Sequence, residues 1–408
     1  MKRSTDRILT THVGSMPRPA ELRAMDTNAG GRIADQAAYD ARLRTAVDEI
    51  VRKQAEVGYD VINDGEIYKP SWSGYVRERL AGFELRPGEA FGRGIGRGRE
   101  ADEFAGYFRD RSISVGGIGG GGLGQPAFGA AAGSQVPPIH SGPVRPPEAP
   151  TMMVCTGPIS YVGQAQAKRD VENLKAALKN VDVEDVFMAA VGPDNVGYNP
   201  GQNQYYATEE EYIIANAKAL HEEYKAITDA GFVVQIDTPV MKYNALNMTL
   251  ESFRKRFASL VDILNDTLSD IPEEQIRLHI CFGGGRGPHT GDIMLKDFMD
   301  LVLKIKSTGI SLDQDVRHEH EWTIWQEMKL PEGKVLIPGV IMHTTDTVEH
   351  PELVAQRLVR WANLVGRENV MAGTDCGLGG RVHPDIVWAK SKSIVEGARI
   401  ASKQLWGK

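Results

Sequence analysis

TEEEYIIANAKALHEEYKAITDAG, residues 208–231, runs directly into FVVQID, residues 232–237. In the first segment apolar residues recur at helical spacing, and the run stops on Gly, a usual helix end. The second is a short β-branched run closing on an acid, and it reads as a strand. Working outward, the same alternation recurs. Strand-like runs occur at ILTTHVG (8–14), YDVIND (59–64), DVFMAAVG (185–192), IRLHIC (276–281), GISLDQD (309–315), VLIPGVIM (335–342) and NVMAGTD (369–375). Helical patterns lie between them, as in YDARLRTAVDEIVRKQAEVG (39–58) and HPELVAQRLVRWANLVG (350–366). Strands alternating with helices argue for a parallel sheet. Eight such units predict an α/β fold of one domain over residues 1–408, a single (β/α)8 barrel of the TIM type. The rival is an open doubly wound sheet, but its Gly-rich phosphate fingerprint is missing from HVGSMPRP (12–19).

Residues 84–165 break the rhythm with RGIGRGRE, GGIGGGG and VRPPE. They predict a Gly/Pro-rich insertion between the second and third strands, on the active-site face, as a lid or a partner contact. No helix-forming run follows GGIGGGG, so no nucleotide-binding loop is read there.

Composition excludes several classes. The net charge of −7 gives no footprint for nucleic acid. No apolar run approaches the roughly 20 residues of a membrane span, and no apolar stretch follows MKRS as in a signal peptide. Three cysteines make no disulfide framework and fit a reducing cytoplasm.

The chemistry-bearing residues gather at strand ends. His279 and Cys281 are two apart on a strand, so their side chains share a face. Imidazole and thiolate are usual Zn²⁺ ligands, yet a core His beside a core Cys also explains the pair. Cys376 at the end of the last strand, in GTDCGLGG, shifts the balance. Asp313 ends the strand between them. Two thiolates, an imidazole and a carboxylate can then converge on one metal. No close-spaced C-x₂-C pair occurs, so the set suits a site that the fold assembles for chemistry rather than a structural zinc. Ser15, Glu66 of DGE, Asp237 and His343 fall at the same face. Each acid taken singly is equally a helix cap. Together they form a polar pocket, in which carboxylates hold an ammonium group.

These pieces resemble, in order, the catalytic barrel of the cobalamin-independent methionine synthase family of zinc-dependent thiol alkyltransferases. THVGS is similar to that family's T-I-G-S, VINDGE to its H-G-E strand, VVQIDTPVM to I-Q-I-D-E-P-A-L, and LHICFGG to H-x-C-Y-S. GISLDQD resembles I-S-I-E, PGVIMHTTD resembles G-V-x-D-I-H, and NVMAGTDCGLGGR resembles N-P-D-C-G-L-K-T-R. The likeness spans the chain except 84–165. It implies a Zn²⁺ cofactor held by His279, Cys281, Asp313 and Cys376, with Asp313 in place of the family's Glu. That acid arm is one methylene shorter, and Asp315 and Glu319 are alternatives to it. The resemblance further implies that Ser15, Glu66 and Asp237 bind homocysteine or a similar amino-thiol, and that His343 serves the methyl donor.

Two departures shape the expectation. The family's N-terminal second barrel is missing, and its R-P-P-I-I-Y-G stretch near the folate is replaced by TGPISYVG (156–163). The acceptor side is thus matched better than the donor side. This argues against folate and leaves a methylcorrinoid protein or a small methylated compound as donor. The implied function is methyl transfer to a thiolate, with a small-molecule thiol and a methyl donor as partners. Oligomeric state stays open, a homo-oligomer included.

Three rival functions remain. Epoxide-opening relatives act on a sulfonate thiol, which would want Arg or Lys where Glu66 and Asp237 stand. A non-catalytic zinc protein predicts a closed four-ligand site. A metal-free decarboxylase leaves His279, Cys281 and Cys376 unexplained. Elsewhere, Cys155 reads as core. RHEHEW (317–322) reads as a solvated loop or helix start, with a second metal site or a support of the first as alternatives, Arg18 as a surface charge or a carboxylate partner, and Tyr68 and Trp72 as pocket wall or packing.

Overall fold

A computed structural model describes residues 1–25, 33–87, 99–106, 151–197, 201–240, 248–283 and 287–407. Its centre is a sheet of seven strands, built of β1 (Val61–Ile62), β4 (Asp185–Val191), β5 (Val233–Asp237), β6 (Ile276–Ile280), β7 (Gly309–Leu312), β8 (Val335–Ile341) and β9 (Gly373–Thr374), adjacent in that order. Every pairing is parallel. Between consecutive strands the chain returns through helices such as Glu209–Asp229, Leu250–Thr267 and Pro351–Val365. The sheet curls until both edges meet one segment. Val61 N donates to Thr10 O at 3.0 Å, Ala372 N to Leu9 O at 2.8 Å, and Thr11 N to Ala372 O at 2.8 Å.

That segment is less regular than the strand expected at 8–14. Only Thr10 forms a bridge, to Ala372. The reason is a side chain: Thr10 N and Oγ1 both donate to Asp60 Oδ2 at 2.8 Å, so a carboxylate takes the place of a backbone partner. The run at 369–375 likewise shrinks to Gly373–Thr374 plus isolated bridges at Val370 and Ala372.

The connection after β1 also differs from the loop expected over 84–165. Its described ends form an antiparallel pair, β2 (Leu80–Pro87) with β3 (Thr151–Tyr161), from Leu80↔Tyr161 to Pro87↔Thr151. Cys155 lies buried in β3, and Cys155 N donates to Gln202 O at 2.7 Å, so the pair is fastened to the chain after β4. A short helix, Glu100–Glu103, touches the loop after β6, where Gly291 N donates to Glu100 Oε1 at 3.1 Å. GGIGGGG and VRPPE lie outside the described residues.

Local sequence sets the helix ends. Gln36–Val57 starts at Asp35, whose carboxylate accepts from Ala38 N, and stops at Gly58 with φ 104°. Glu209–Asp229 opens with a reciprocal cap between Thr208 and Glu211. Each helix lays an apolar face on the sheet, as Phe253, Phe257, Leu260 and Leu264 do. Inside the curl, the strand starts are filled by Leu9, Val61, Phe187, Val233, Val335, Ile337 and Met371. Arg277 joins them, its guanidinium 3.9 Å from the Phe187 ring centre and its Nη donors on Thr11 Oγ1 and His12 O. No helix among the described residues is long and apolar enough to cross a membrane.

Candidate active site at the strand exits

Residues two apart on a strand share a face. The face of β5 that starts at Val233 in the apolar fill therefore ends at Asp237. By the same count the β6 face that starts at Arg277 continues through His279 to Cys281, and the β7 face runs from Gly309 through Ser311 to Asp313. Register aligns these faces, with Asp237 beside His279 and His279 beside Ser311. Going up the strands, the interior changes from apolar to titratable.

At the exits the ligating atoms of His279, Cys281 and Cys376 all lie within 4.8 Å of one another. The two sulfurs are 3.7 Å apart, both cysteines are free, and the Cys281 thiol points at Asp313 Oδ2 at 3.6 Å. His279 is 3% exposed. Its Nδ1 is 3.2 Å from Ser311 Oγ, while Nε2 has no partner among the described residues. Backbone supports the set: Gly283 N donates to Cys281 Sγ at 3.3 Å, and Gly283 takes the left-handed φ of 104°. Gly284 and Gly285, expected to turn the chain beside the metal, lie outside the described residues.

The electrostatics divide the two sulfurs. A hydrogen bond from Cys281, with help from the Arg381 charge, holds the Cys376 thiol well below its usual range. Cys281, the donor of that bond and buried, is pushed well above it. For His279 burial works against the charged ring, but the adjacent Cys376 sulfur raises it above the usual imidazole. Burial first, then Asp315 and Cys376, push Asp313 up to about 7.

A second group adjoins the first. Asp313, His343 and Asp375 also bring their ligating atoms within 4.8 Å of one another. His343 is 1% exposed, with neither ring nitrogen partnered among the described residues. Burial, then Arg381, lower its ring to about 3, so it is neutral at pH 7. Of the alternatives to Asp313, Glu319 is bound in a two-point ion pair to Arg357, and Asp315 caps its own loop by accepting from Arg317 N. Asp313 is the acid of the three that meets a cysteine.

Glu66 and Asp237 stand on the other side of His279. Glu66 is a non-Gly residue at φ 53°, a conformation costing about 1–3 kcal/mol and found where structure over-determines it. Asp64 Oδ1 accepts from Glu66 N at 2.9 Å, and Glu66 O accepts from Lys69 N at 2.9 Å. A Cβ on Gly14 would lie 2.1 Å from Glu66 Oε1, and one on Gly377 would lie 2.1 Å from Ser15 Oγ, so both glycines make room for the site. Ser15 O accepts from Leu378 N and Gly379 N, which seats Ser15 against the turn after Cys376. Burial, then Glu66, push Asp237 up to about 7, against the pull of His279 and Lys69.

All eight residues singled out in the sequence thus fall at one end of the sheet. Lys69, Asp375 and Arg381 were missed. The E-x-x-K spacing in DGEIYK and the acid next to Cys376 were the available signals. RHEHEW also differs from a solvated segment. The His318 ring is fully buried and stacks on Phe282 at 3.6 Å, and its nitrogens meet Glu321 at 2.8 Å and Asp292 at 3.0 Å. Arg18 is hydrogen bonded to the Tyr39 hydroxyl, Tyr68 lies under the Arg79 guanidinium, and Trp72 packs on the core.

Comparison with known proteins follows the same outline. The family described as cobalamin-independent synthase, catalytic domain, matches residues 8–90 and 160–399. A methionine synthase of Sulfolobus acidocaldarius is 23% identical over 409 residues, covering 97% of this chain and 93% of that protein. One from Sulfurisphaera tokodaii is 23% identical, covering 98% and 94%. Among solved structures, a B12-independent methionine synthase from Shewanella sp. W3-18-1, in complex with selenomethionine, superposes with a TM-score of 0.69 at 18% identity, covering 98% of this chain and all of that one. A methyltransferase from Methanosarcina mazei gives 0.52 at 12%, covering 97% and 94%. Both likenesses concern the fold.

Proposed function

Because the chain belongs to the family of cobalamin-independent synthase catalytic domains, we propose that it transfers a methyl group to the thiolate of homocysteine or a similar amino-thiol, with zinc as cofactor. The observation that carries this reading is the convergence of His279, Cys281 and Cys376 within 4.8 Å, beside Asp313, at the strand exits. Sulfur and imidazole donors with a buried, unpartnered Nε2 fit Zn²⁺. Those four residues would hold the ion, which when bound keeps a substrate sulfur deprotonated at neutral pH.

The chain's own residues supply the rest. Ser15, Glu66 and Asp237 orient the far end of the thiol. His343 relays the proton: neutral in the free protein, it passes the proton the thiol releases to the leaving group of a small methylated donor, or to water when the donor is a methylcorrinoid. The low-dielectric surroundings that keep its ring neutral also favour giving the proton back. In this reading residues 9–11 complete a one-domain (β/α)8 barrel in a cytoplasmic enzyme, and 84–165 is an insertion beside the exits.

The donor is a methylcorrinoid protein or a small methylated compound rather than folate. Support comes from TGPISYVG, most of which is spent on β3, while the Tyr161 hydroxyl donates to buried Glu223 at 3.0 Å. The test is a mass-spectrometric screen for methionine made by zinc-loaded protein from homocysteine and each donor. Methionine from a corrinoid or small methylated donor is the expected result. Methionine from methylfolate alone would overturn the donor assignment, and none from any donor would overturn the function.

A further inference from the structure

The acid pair at the far end of the thiol site already has a cation. Lys69 Nζ is 3.0 Å from Glu66 Oε2, and among the described residues Glu66 is its one ion-pair partner. Lys69 is 5% exposed, so this charge is not shared with bulk water. Its place follows from the fold. β1 pairs with β4 at two positions only, Val61↔Asp185 and Ile62↔Val186, and then turns away. The next stretch of β4 is left without a backbone neighbour on that side, and Lys69 Nζ fills the gap by donating to Ala189 O at 2.6 Å. The ring centres of Tyr75 and Tyr68, at 4.5 Å and 5.6 Å, close around the ammonium. The other acids nearby are engaged: Glu223 by Arg79 and two tyrosine hydroxyls, Asp64 by Glu66 N. Burial opposes the Lys69 charge, but Glu66 first and then Asp237 hold it ionised.

We infer that Lys69 is a built-in competitor for the ammonium group of the acceptor. It occupies Glu66 as an ion pair, so Asp237 alone is left to select for an amino group, and the site accepts thiols with and without one. An incoming ammonium beside Glu66 would gain that carboxylate and meet the Lys69 charge at once, and the two effects oppose each other. Lys69 acts through Glu66 and is therefore a specificity-setting residue, not a catalytic one. The inference rests on the thiol-binding part of the proposed function and widens its acceptor class beyond amino-thiols.

Calorimetric dissociation constants of zinc-loaded protein for homocysteine and for 4-mercaptobutanoate, the same thiol without its amino group, test this. They need no methyl donor, so an error about methyl transfer leaves the test intact. Wild-type protein is expected to prefer homocysteine by less than about tenfold, and Lys69→Met to widen that preference by about tenfold or more as Glu66 is released. Loss of a purely structural lysine would weaken both thiols alike. A wild-type preference above about tenfold, or a Lys69→Met preference unchanged or reduced, would overturn the inference. The wild-type ratio decides by itself if the variant fails to fold.

Discussion

The two ends of the sheet interior are made of opposite materials. At the strand starts, Leu9, Val61, Phe187, Val233, Val335, Ile337 and Met371 pack together, and the one charge among them, Arg277, is spread over the Phe187 ring and two oxygen acceptors. At the exits, His279 Nε2, both nitrogens of His343 and Asp375 Oδ2 are buried without hydrogen-bond partners among the described residues. A buried polar group left unpaired costs about 1–3 kcal/mol. One end is mainly apolar packing, and the other gathers titratable groups of the kind that hold a ligand. Three strands, β5, β6 and β8, contribute to both ends, so the contrast lies along the strand and not between elements.

Substitutions at the two ends should fail in different ways. The largest effect is expected for His279→Ala: methyl transfer falls by about a thousandfold and bound metal is lost, while urea stability of the chelated protein shifts by less than about 1 kcal/mol. Phe187→Ala should do the reverse. Urea unfolding would show a loss of about 3–5 kcal/mol, with metal per folded chain unchanged. Equal losses of stability in the two variants would break the contrast. Asp237→Asn is a smaller change, expected to weaken homocysteine about tenfold in calorimetry and to leave 4-mercaptobutanoate unaffected.

The smallest effect is one of pH. Asp313 is pushed up to about 7 from 3.8, largely by burial. Between about pH 4 and 7 the folded protein keeps a proton there that the unfolded chain gives up, so stability falls as pH rises across that window. In chelated protein Asp313→Asn should flatten the fall by about 1–2 kcal/mol, read from urea midpoints over that range. An unchanged slope would mean that Asp313 ionises normally without metal.

Much of this was legible in the sequence because period two is a strong rule. It placed His279 and Cys281 on one face, and strand ends followed by glycine placed Cys376 opposite them. Elements that depend on a distant side chain were not legible. The strand expected at 8–14 gave way to the Asp60 carboxylate, which no periodicity reports. β3 contains Gly157 and Pro158, so TGPISY reads as loop until Leu80–Pro87 pairs with it. Lys69 escaped because its partner, the carbonyl of Ala189, is free only where β1 stops after two residues. His318 sits in a charged run that looks solvated, and only the fold brings Phe282 under its ring.

X-ray absorption at the zinc edge, on protein loaded with one equivalent of zinc, with and without homocysteine, tests the central claim most directly. A site built to activate a thiol should start with two sulfur ligands, from Cys281 and Cys376, and gain a third when homocysteine is added. An unchanged count of two sulfurs on adding the thiol would mark a closed site and contradict thiol activation.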